Sequence, residues 1–199
     1  MMVYGDYSIE FDRTGFPLIQ FEGWKHFIGL FPVSKYQFER FLAEEGGSRY
    51  TDEWYRDILK LNPRRSWRMA YGKIWKLFMT GLDLDVIDDF LNYLGFNYRL
   101  PTLDEWKALF EVSDVIEESS SHLKKLCSDR SPEPVLSWIE RGLCPLVNEG
   151  IFERIHENDV SFVGKPFHGL LPNTWDPKEP KKVNIEKGIG MIGFRVVRE

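Results

Sequence analysis

The sequence predicts an α+β protein of short strands and several helices, folded as a single domain over residues 1–199. A chain of 199 residues is long enough to bury its own core. Its hydrophobic content of 43% and aromatic content of 15% are typical of a folded globular protein. Strand-like alternation near both ends flanks a middle region with helical periodicity. Seven tryptophans and fifteen phenylalanines suit an irregular fold in which large rings pack against loops.

The charge and the cysteine content restrict the function classes. A net charge of −5 argues against a general nucleic-acid binder. No apolar run approaches the roughly 20 residues of a membrane span, so no membrane partner is expected. The first residues lack a basic region followed by an apolar one, which predicts a cytoplasmic protein without a secretory signal. In that compartment Cys127 and Cys144 are expected to be reduced and structural.

Residues 3–33 predict two or three short strands, because loosely alternating residues are interrupted by turn signals near Gly15 and Gly23. Ser34 then predicts the cap of a helix that runs to about Glu45. Two glycines follow directly, and glycine commonly ends helices. The N-terminal third is therefore expected to be strands followed by one helix.

The middle of the chain predicts mainly helices, at residues 51–63, 66–80, 82–94, 102–112 and 136–141. A hairpin is predicted over Leu146–Val163, with its turn at residues 157–159. Residues 166–187 are rich in proline and lysine and predict a long loop. Ile189–Val197 predicts the final strand.

The segment Arg99–Trp106 is the most specific local signal. Pro101 cannot continue a strand ladder. Thr102 and Glu105 have the spacing of a capping box, in which each side chain accepts a hydrogen bond from the other residue's backbone N–H. Trp106 then begins an apolar helix face, so Arg99, Trp106 and the distant Arg195 are expected to serve the scaffold.

Three segments resemble the formylglycine-generating enzyme (sulfatase-modifying factor) family. Residues 99–106 read RLPTLDEW and are similar to its RLPTE-x-EW signature. Phe27–Leu42 is similar to its yPVTnaqyraFl segment, and Gly193–Arg198 to its closing GFRvvr strand. Asn148 and Glu153 would anchor a degenerate form of its GNVWEW hairpin. The resemblance implies a C-type-lectin-like fold of the formylglycine-generating-enzyme variant.

The resemblance also bears on activity. Catalytic members hold copper through two cysteines that lie shortly before the GFR strand, and soft thiolates suit that ion. Residues 166–193 contain no cysteine, since Cys127 and Cys144 both lie upstream. The expectation is a non-catalytic module that holds a partner protein or peptide, in the manner of accessory subunits of bacterial signalling or defence systems. The alternative is a divergent metal-dependent oxidoreductase of the same family.

The partner-binding surface is expected in the loop before the last strand. Tryptophans often anchor interfaces, and Trp175 lies in an otherwise polar segment, although the ring packing down onto the domain is an equal alternative. The proposed partner loop comprises Phe167, Asn173, Trp175 and Asp176.

Two further sites have alternative readings. The hairpin offers side-chain oxygen atoms of the kind that calcium prefers, at Asn148, Glu149, Asn158 and Asp159. The alternative is that these residues form a solvated turn. No other cofactor is expected. Arg64, Arg65 and Arg68 belong to a basic stretch with aromatic residues four apart. That stretch fits RNA or an acidic partner. The preferred interpretation of the aromatic residues is a helix with a core-facing aromatic stripe and a basic outer face.

Overall fold

A computed structural model describes residues 2–4, 7–45, 49–61, 77–112, 120–141, 151–156, 162–164, 176, 178–180 and 192–199. Within these residues the chain forms nine strands and six helices. The α+β class is therefore confirmed.

The strands lie in two sheets. They are β1 (Met2–Tyr4), β2 (Tyr7–Phe11), β3 (Pro17–Phe21), β4 (Phe27–Gly29), β5 (Tyr98–Arg99), β6 (Phe152–Arg154), β7 (Phe162–Gly164), β8 (Ile192–Phe194) and β9 (Val197–Arg198). The large sheet is antiparallel, in the order β1-β2-β3-β4-β9-β5. The small sheet has the order β7-β6-β8, with β6 antiparallel to β7 and parallel to β8.

The helices are α1 (Lys35–Glu45), α2 (Asp52–Leu61), α3 (Leu84–Leu94), α4 (Leu103–Glu111), α5 (Ser120–Cys127) and α6 (Glu133–Glu140). None of them is long and apolar enough to cross a membrane, a statement that covers the described residues alone.

The N-terminal region forms four strands rather than two or three. The β2–β3 turn is organised by the buried carboxylate of Asp12, whose Oδ1 accepts hydrogen bonds from the backbone N–H of Thr14 (2.7 Å) and of Phe16 (3.0 Å). Its Oδ2 accepts one from Nε2 of Gln37 on α1 (2.9 Å). One side chain therefore shapes the hairpin and holds α1 against it.

The predicted helix starts follow from side-chain caps. Ser34 Oγ accepts a hydrogen bond from Gln37 N (3.2 Å), while Gln37 Oε1 accepts one from Ser34 N (2.9 Å). This is a capping box with glutamine in the third helical position. Thr51 Oγ1 likewise accepts from Trp54 N (3.2 Å), at the start of α2. The predicted cap at Ser34 is confirmed, and α2 begins at Asp52, one residue after the predicted start.

The predicted end of a helix at Thr80 is wrong. Phe78 forms an isolated antiparallel bridge with Ser34, and Met79 N donates to Val33 O (2.8 Å). Backbone groups paired in this way cannot also continue a helix. The earlier part of that predicted helix, residues 66–76, lies outside the description.

The capping box of α4 is confirmed. Thr102 Oγ1 accepts from Glu105 N (3.3 Å), and Glu105 Oε2 accepts from Thr102 N (2.8 Å). Trp106 is 2% exposed, as expected of a scaffold residue. The helix predicted at residues 136–141 begins earlier, at Glu133. Pro134 is compatible with its first turn, because the N–H groups there have no partner within the helix and a proline loses no hydrogen bond.

The predicted hairpin is confirmed by the pairing of β6 with β7, and its turn lies outside the description. The final strand, predicted as continuous, is divided. β8 pairs with β6 in the small sheet, and β9 pairs with β4 and β5 in the large sheet. Arg195 and Val196 carry the chain from one sheet to the other.

In the part of the chain that the structure describes, the core consists of two large clusters and one small one. The first surrounds Trp106 and Trp138, and the second surrounds Phe38, Phe90 and Phe194. The small cluster contains Phe152, Phe162 and Ile192, on one side of the small sheet. That side of the small sheet carries the candidate site.

Candidate functional site

Of the four residues predicted for the partner loop, only Asp176 is described. Its Oδ1 accepts a hydrogen bond from Lys178 N (2.8 Å), and its carbonyl oxygen accepts one from Glu179 N (3.3 Å). Asp176 therefore organises a local turn of the Asx type. Phe167, Asn173 and Trp175 lie outside the description.

The predicted calcium ligands and basic face also lie outside it: Asn148, Glu149, Asn158, Asp159, Arg64, Arg65 and Arg68. Glu153, the hairpin carboxylate that the structure does describe, is 3% exposed and bonded through both oxygens to Arg195. Both of its oxygens are therefore engaged by Arg195. Across the described ranges, no three His, Cys, Asp or Glu side chains are grouped to hold a metal ion.

The RLPTLDEW segment is a closed structural unit. Arg99 donates from Nη1 to Glu105 Oε2 (2.8 Å) and from Nη2 to Glu105 Oε1 (2.7 Å). Its Nε donates to Glu199 Oε1 (2.8 Å) at the C-terminal end of the chain. Burial opposes ionisation of Glu105, but the bonds from Arg99 and Thr102 N outweigh it and hold the pKa of Glu105 at about 2. The Glu105 carboxylate therefore has a structural role.

Arg195 also has a structural role. It is fully buried, and its Nε and Nη2 donate to the two oxygens of Glu153 at 2.9 and 3.0 Å. Its Nη1 donates to the carbonyl oxygens of Gly29 and Leu30, both at 2.8 Å. Arg195 therefore joins the small sheet to the end of β4 at the point where the chain changes sheets.

Cys127 is a structural thiol. It is buried and unpaired, and burial raises its pKa to about 11. A thiol reacts and binds metal as its thiolate, which this environment disfavours. Cys144 lies outside the description.

Arg154, next to Glu153 in β6, has a different environment. It is 6% exposed, and its Nε is buried without a hydrogen-bond partner. Its guanidinium carbon lies 5.2 Å from the ring centroid of Phe162, the residue directly opposite on β7. No carboxylate of the described part of the chain lies within ion-pair distance of it. A buried charge without a partner is costly, so Arg154 is taken as the candidate site among the described residues.

Asp83, at the start of α3, is the acidic group whose charge acts on Arg154. Burial lowers the pKa of Arg154, and the Asp83 carboxylate partly offsets that effect without forming an ion pair. Asp83 occupies the N-cap position of α3 with extended backbone angles, but its side chain makes no capping hydrogen bond. The first-turn amides of α3 therefore lack a side-chain acceptor from the cap.

Sequence reasoning did not single out Arg154. The available signal was strand alternation, which places Arg154 on the same side of β6 as Phe152 and opposite Glu153. A charged residue on the apolar side of a predicted strand marks an unusual position. Comparison of the chain with protein-family models, with curated proteins and with solved structures gives no match.

Proposed function

We propose that the chain is a non-catalytic binding module that holds a partner protein or peptide. The observation that carries this proposal is the buried Nε of the Arg154 guanidinium, which has no hydrogen-bond partner among the described residues and lies beside the Phe162 ring. Binding sites characteristically place a few polar groups in an apolar surround, so that a ligand gains orientation from the polar contact and affinity from the apolar one. Arg154 with Phe152 and Phe162 has this composition.

The non-catalytic part of the proposal is supported by the thiols. The described thiol, Cys127, is buried with a raised pKa, and the sequence has no cysteine between residues 166 and 193. A copper-dependent cysteine oxidase of the formylglycine-generating type would need two accessible thiolates there. The resemblance of residues 27–42, 99–106 and 193–198 to that family supports its C-type-lectin-like fold as the scaffold, and an accessory role in bacterial signalling or defence as the context.

The test is affinity purification of the tagged chain from its native host after cross-linking in cells, with identification by mass spectrometry and metal analysis of the same sample. The expected result is one stoichiometric protein partner that rebinds when both proteins are purified separately. A tightly held copper or iron ion, no partner, and turnover of a cysteine peptide to formylglycine would overturn the proposal and favour a divergent oxidoreductase.

A further inference from the structure

We propose that the outer face of α3, together with the turn that follows it, docks a basic segment of the partner protein that also carries an apolar contact. The surface, here named the α3 face, comprises Leu84, Asp85, Asp88, Asn92 and Phe96. This inference rests on the proposed binding function, and it specifies the surface and the chemistry of the partner. The exposed ring of Phe96 is the main contact, and the carboxylates of α3 select the charge of the partner segment.

Phe96 presents its whole ring to solvent. It is 99% exposed, whereas the other large hydrophobic residues exposed in the described part of the chain, Tyr36 and Leu84, are 40% and 44% exposed. Aromatic side chains bury a large apolar area with few rotatable bonds, and they are enriched at the centre of protein interfaces. The complete ring of Phe96 is therefore available to an apolar pocket of a partner.

The turn that carries Phe96 is fixed by hydrogen bonds on both sides. Tyr98 N donates to Gly95 O (3.2 Å), which closes the turn. Asn97 is tied to the C-terminal end of the chain, since its Nδ2 donates to Glu199 O (2.9 Å) and its carbonyl oxygen accepts from Glu199 N (3.1 Å). Gly95 has a φ of +151°, a conformation that favours glycine. The ring therefore projects from a backbone that loses little freedom when a partner binds.

The exposed charged side chains of α3 are all carboxylates. Asp85 and Asp88 are exposed and have no ion-pair partner among the described residues, whereas Asp89 is held by Arg49 at 2.5 Å. Asp85, Asp88 and Asn92 are three or four residues apart and therefore share one side of the helix. Lys or Arg side chains of a partner complement this charge, which directs the association and excludes acidic segments.

The two apolar residues of the α3 face lie at its ends. Leu84 is the first residue of α3, and Phe96 follows the last residue of the helix by two positions. The 11 residues of α3 rise about 16 Å along the helix axis. A partner segment of similar length, with basic side chains between apolar ones, matches both the apolar ends and the acidic middle.

Photo-cross-linking tests the surface in the full chain. Phe96→p-benzoylphenylalanine places a photoreactive ring on the α3 face, and Glu133→p-benzoylphenylalanine places the same group at an exposed position of α6. Both tagged proteins are irradiated in the native host, and the joined peptides are sequenced by mass spectrometry. We expect the Phe96 variant to join one partner protein through a peptide with basic and apolar residues. A partner joined by the Glu133 variant alone, an acidic peptide, or a second copy of this chain would overturn the proposal.

The joined peptide, synthesised without the cross-link, then serves as the probe for titration calorimetry with the purified chain. Phe96→Ala should weaken binding at least about tenfold, because it removes the ring and keeps the turn. Its melting temperature should stay within about 2 °C of wild type, as expected of a surface change. Tyr36→Ala removes a different exposed ring, on α1, and should leave the affinity within about twofold of wild type. Equal affinities of wild type and Phe96→Ala would overturn the contact.

A charge series tests the acidic part of the α3 face with the same peptide. Asp85→Asn combined with Asp88→Asn should weaken binding about three- to tenfold, and added salt should weaken wild type more than this double variant. Glu133→Gln removes a carboxylate of α6 and should have less than half of that effect on the logarithm of the affinity. The same salt dependence in wild type and the double variant would contradict charge complementarity at this surface.

The outcomes separate this inference from the proposed function. A partner that is recovered from the host, is not joined at position 96 and binds Phe96→Ala as tightly as wild type would leave the binding module standing and overturn the α3 face. The absence of any partner would overturn the proposed function and this surface together.

Discussion

Two buried arginines of the small sheet differ in how their charge is satisfied. Arg195, directly after β8, is fully buried and donates to both oxygens of Glu153 and to two backbone carbonyls. Arg154, in the neighbouring strand β6, is 6% exposed and has no hydrogen-bond partner for its Nε. Burial alone therefore does not show whether an arginine is paired within the fold. The hydrogen-bond partners of the guanidinium N–H groups show it.

The adjacency of Glu153 and Arg154 explains the difference. Successive residues of a strand point to opposite sides of the sheet. Glu153 meets Arg195 on one side, and Arg154 meets Phe162 on the other. One side of β6 thus holds a closed ion pair inside the scaffold. The other holds a guanidinium that lies beside an apolar cluster and has no ion-pair partner among the described residues. Four predictions test this contrast.

The largest effect is expected for Arg195→Met. The change leaves the Glu153 carboxylate buried without its cation and removes the donor to Gly29 O and Leu30 O. Breaking a buried pair from one side typically costs 3–5 kcal/mol, and we expect about 5 kcal/mol here. Urea denaturation measures it. As a control, Glu153→Leu combined with Arg195→Met should recover most of the loss, because no charge is then left unpaired. A single variant within about 1 kcal/mol of wild type would contradict the closed pair.

Trp106→Ala supplies an apolar reference for the cost of Arg195→Met. Trp106 is 2% exposed and packs with Phe110 at a ring-centroid distance of 5.5 Å. Truncating it should leave a cavity and reduce the free energy of unfolding by about 4 kcal/mol, within the usual range for such changes. Trp106→Phe should cost less, since part of the ring volume remains. Nearly unchanged melting of the alanine variant would refute the scaffold role of this residue.

Glu105→Gln tests the partly buried ion pair of Glu105 with Arg99. Glu105 has a folded-state pKa of about 2, below its ordinary value of 4.5. Its ionised form therefore stabilises the fold fully above pH 4.5, and that contribution disappears as the pH falls from 4.5 towards 2. At neutral pH the variant should lose about 1–3 kcal/mol. The difference between wild type and variant should shrink over this acidic interval in denaturation measured at several pH values. A difference independent of pH would show that Glu105 acts through packing alone.

The smallest effect on stability is expected for Arg154→Met. No described carboxylate loses a partner, and methionine keeps much of the apolar length of the side chain. The free energy of unfolding should change by less than about 1 kcal/mol or rise slightly, as it can when a buried charge is replaced by an apolar group. Calorimetry on matched samples measures the change. A loss comparable with that of Arg195→Met would erase the contrast between the two arginines.

Much of the local structure was predictable from the sequence because its causes lie within one helical turn. Ser34 with Gln37, and Thr102 with Glu105, are three residues apart, so each pair completes its capping box wherever the helix is placed. The hairpin of β6 and β7 was predicted from alternation in the same way. The α+β class follows from these local signals together.

The candidate site was not predictable to the same degree. Strand alternation indicates that Glu153 and Arg154 lie on opposite sides of β6. It does not indicate which residues pack against each side. Glu153 is paired because Arg195, 42 residues further on, is brought beside it by the parallel pairing of β6 with β8. The same long-range pairing divides the final strand at Arg195.

The sequence by itself determined the capped starts of α1 and α4, the hairpin and the burial of Trp106, since their hydrogen bonds and periodicities are local. Only the tertiary structure decided which charges are neutralised. A buried charge is stabilised by groups within a few ångströms in space, whatever their separation along the chain. Arg195 found such groups in Glu153 and the carbonyls at the end of β4, whereas the described residues around Arg154 give its Nε no acceptor.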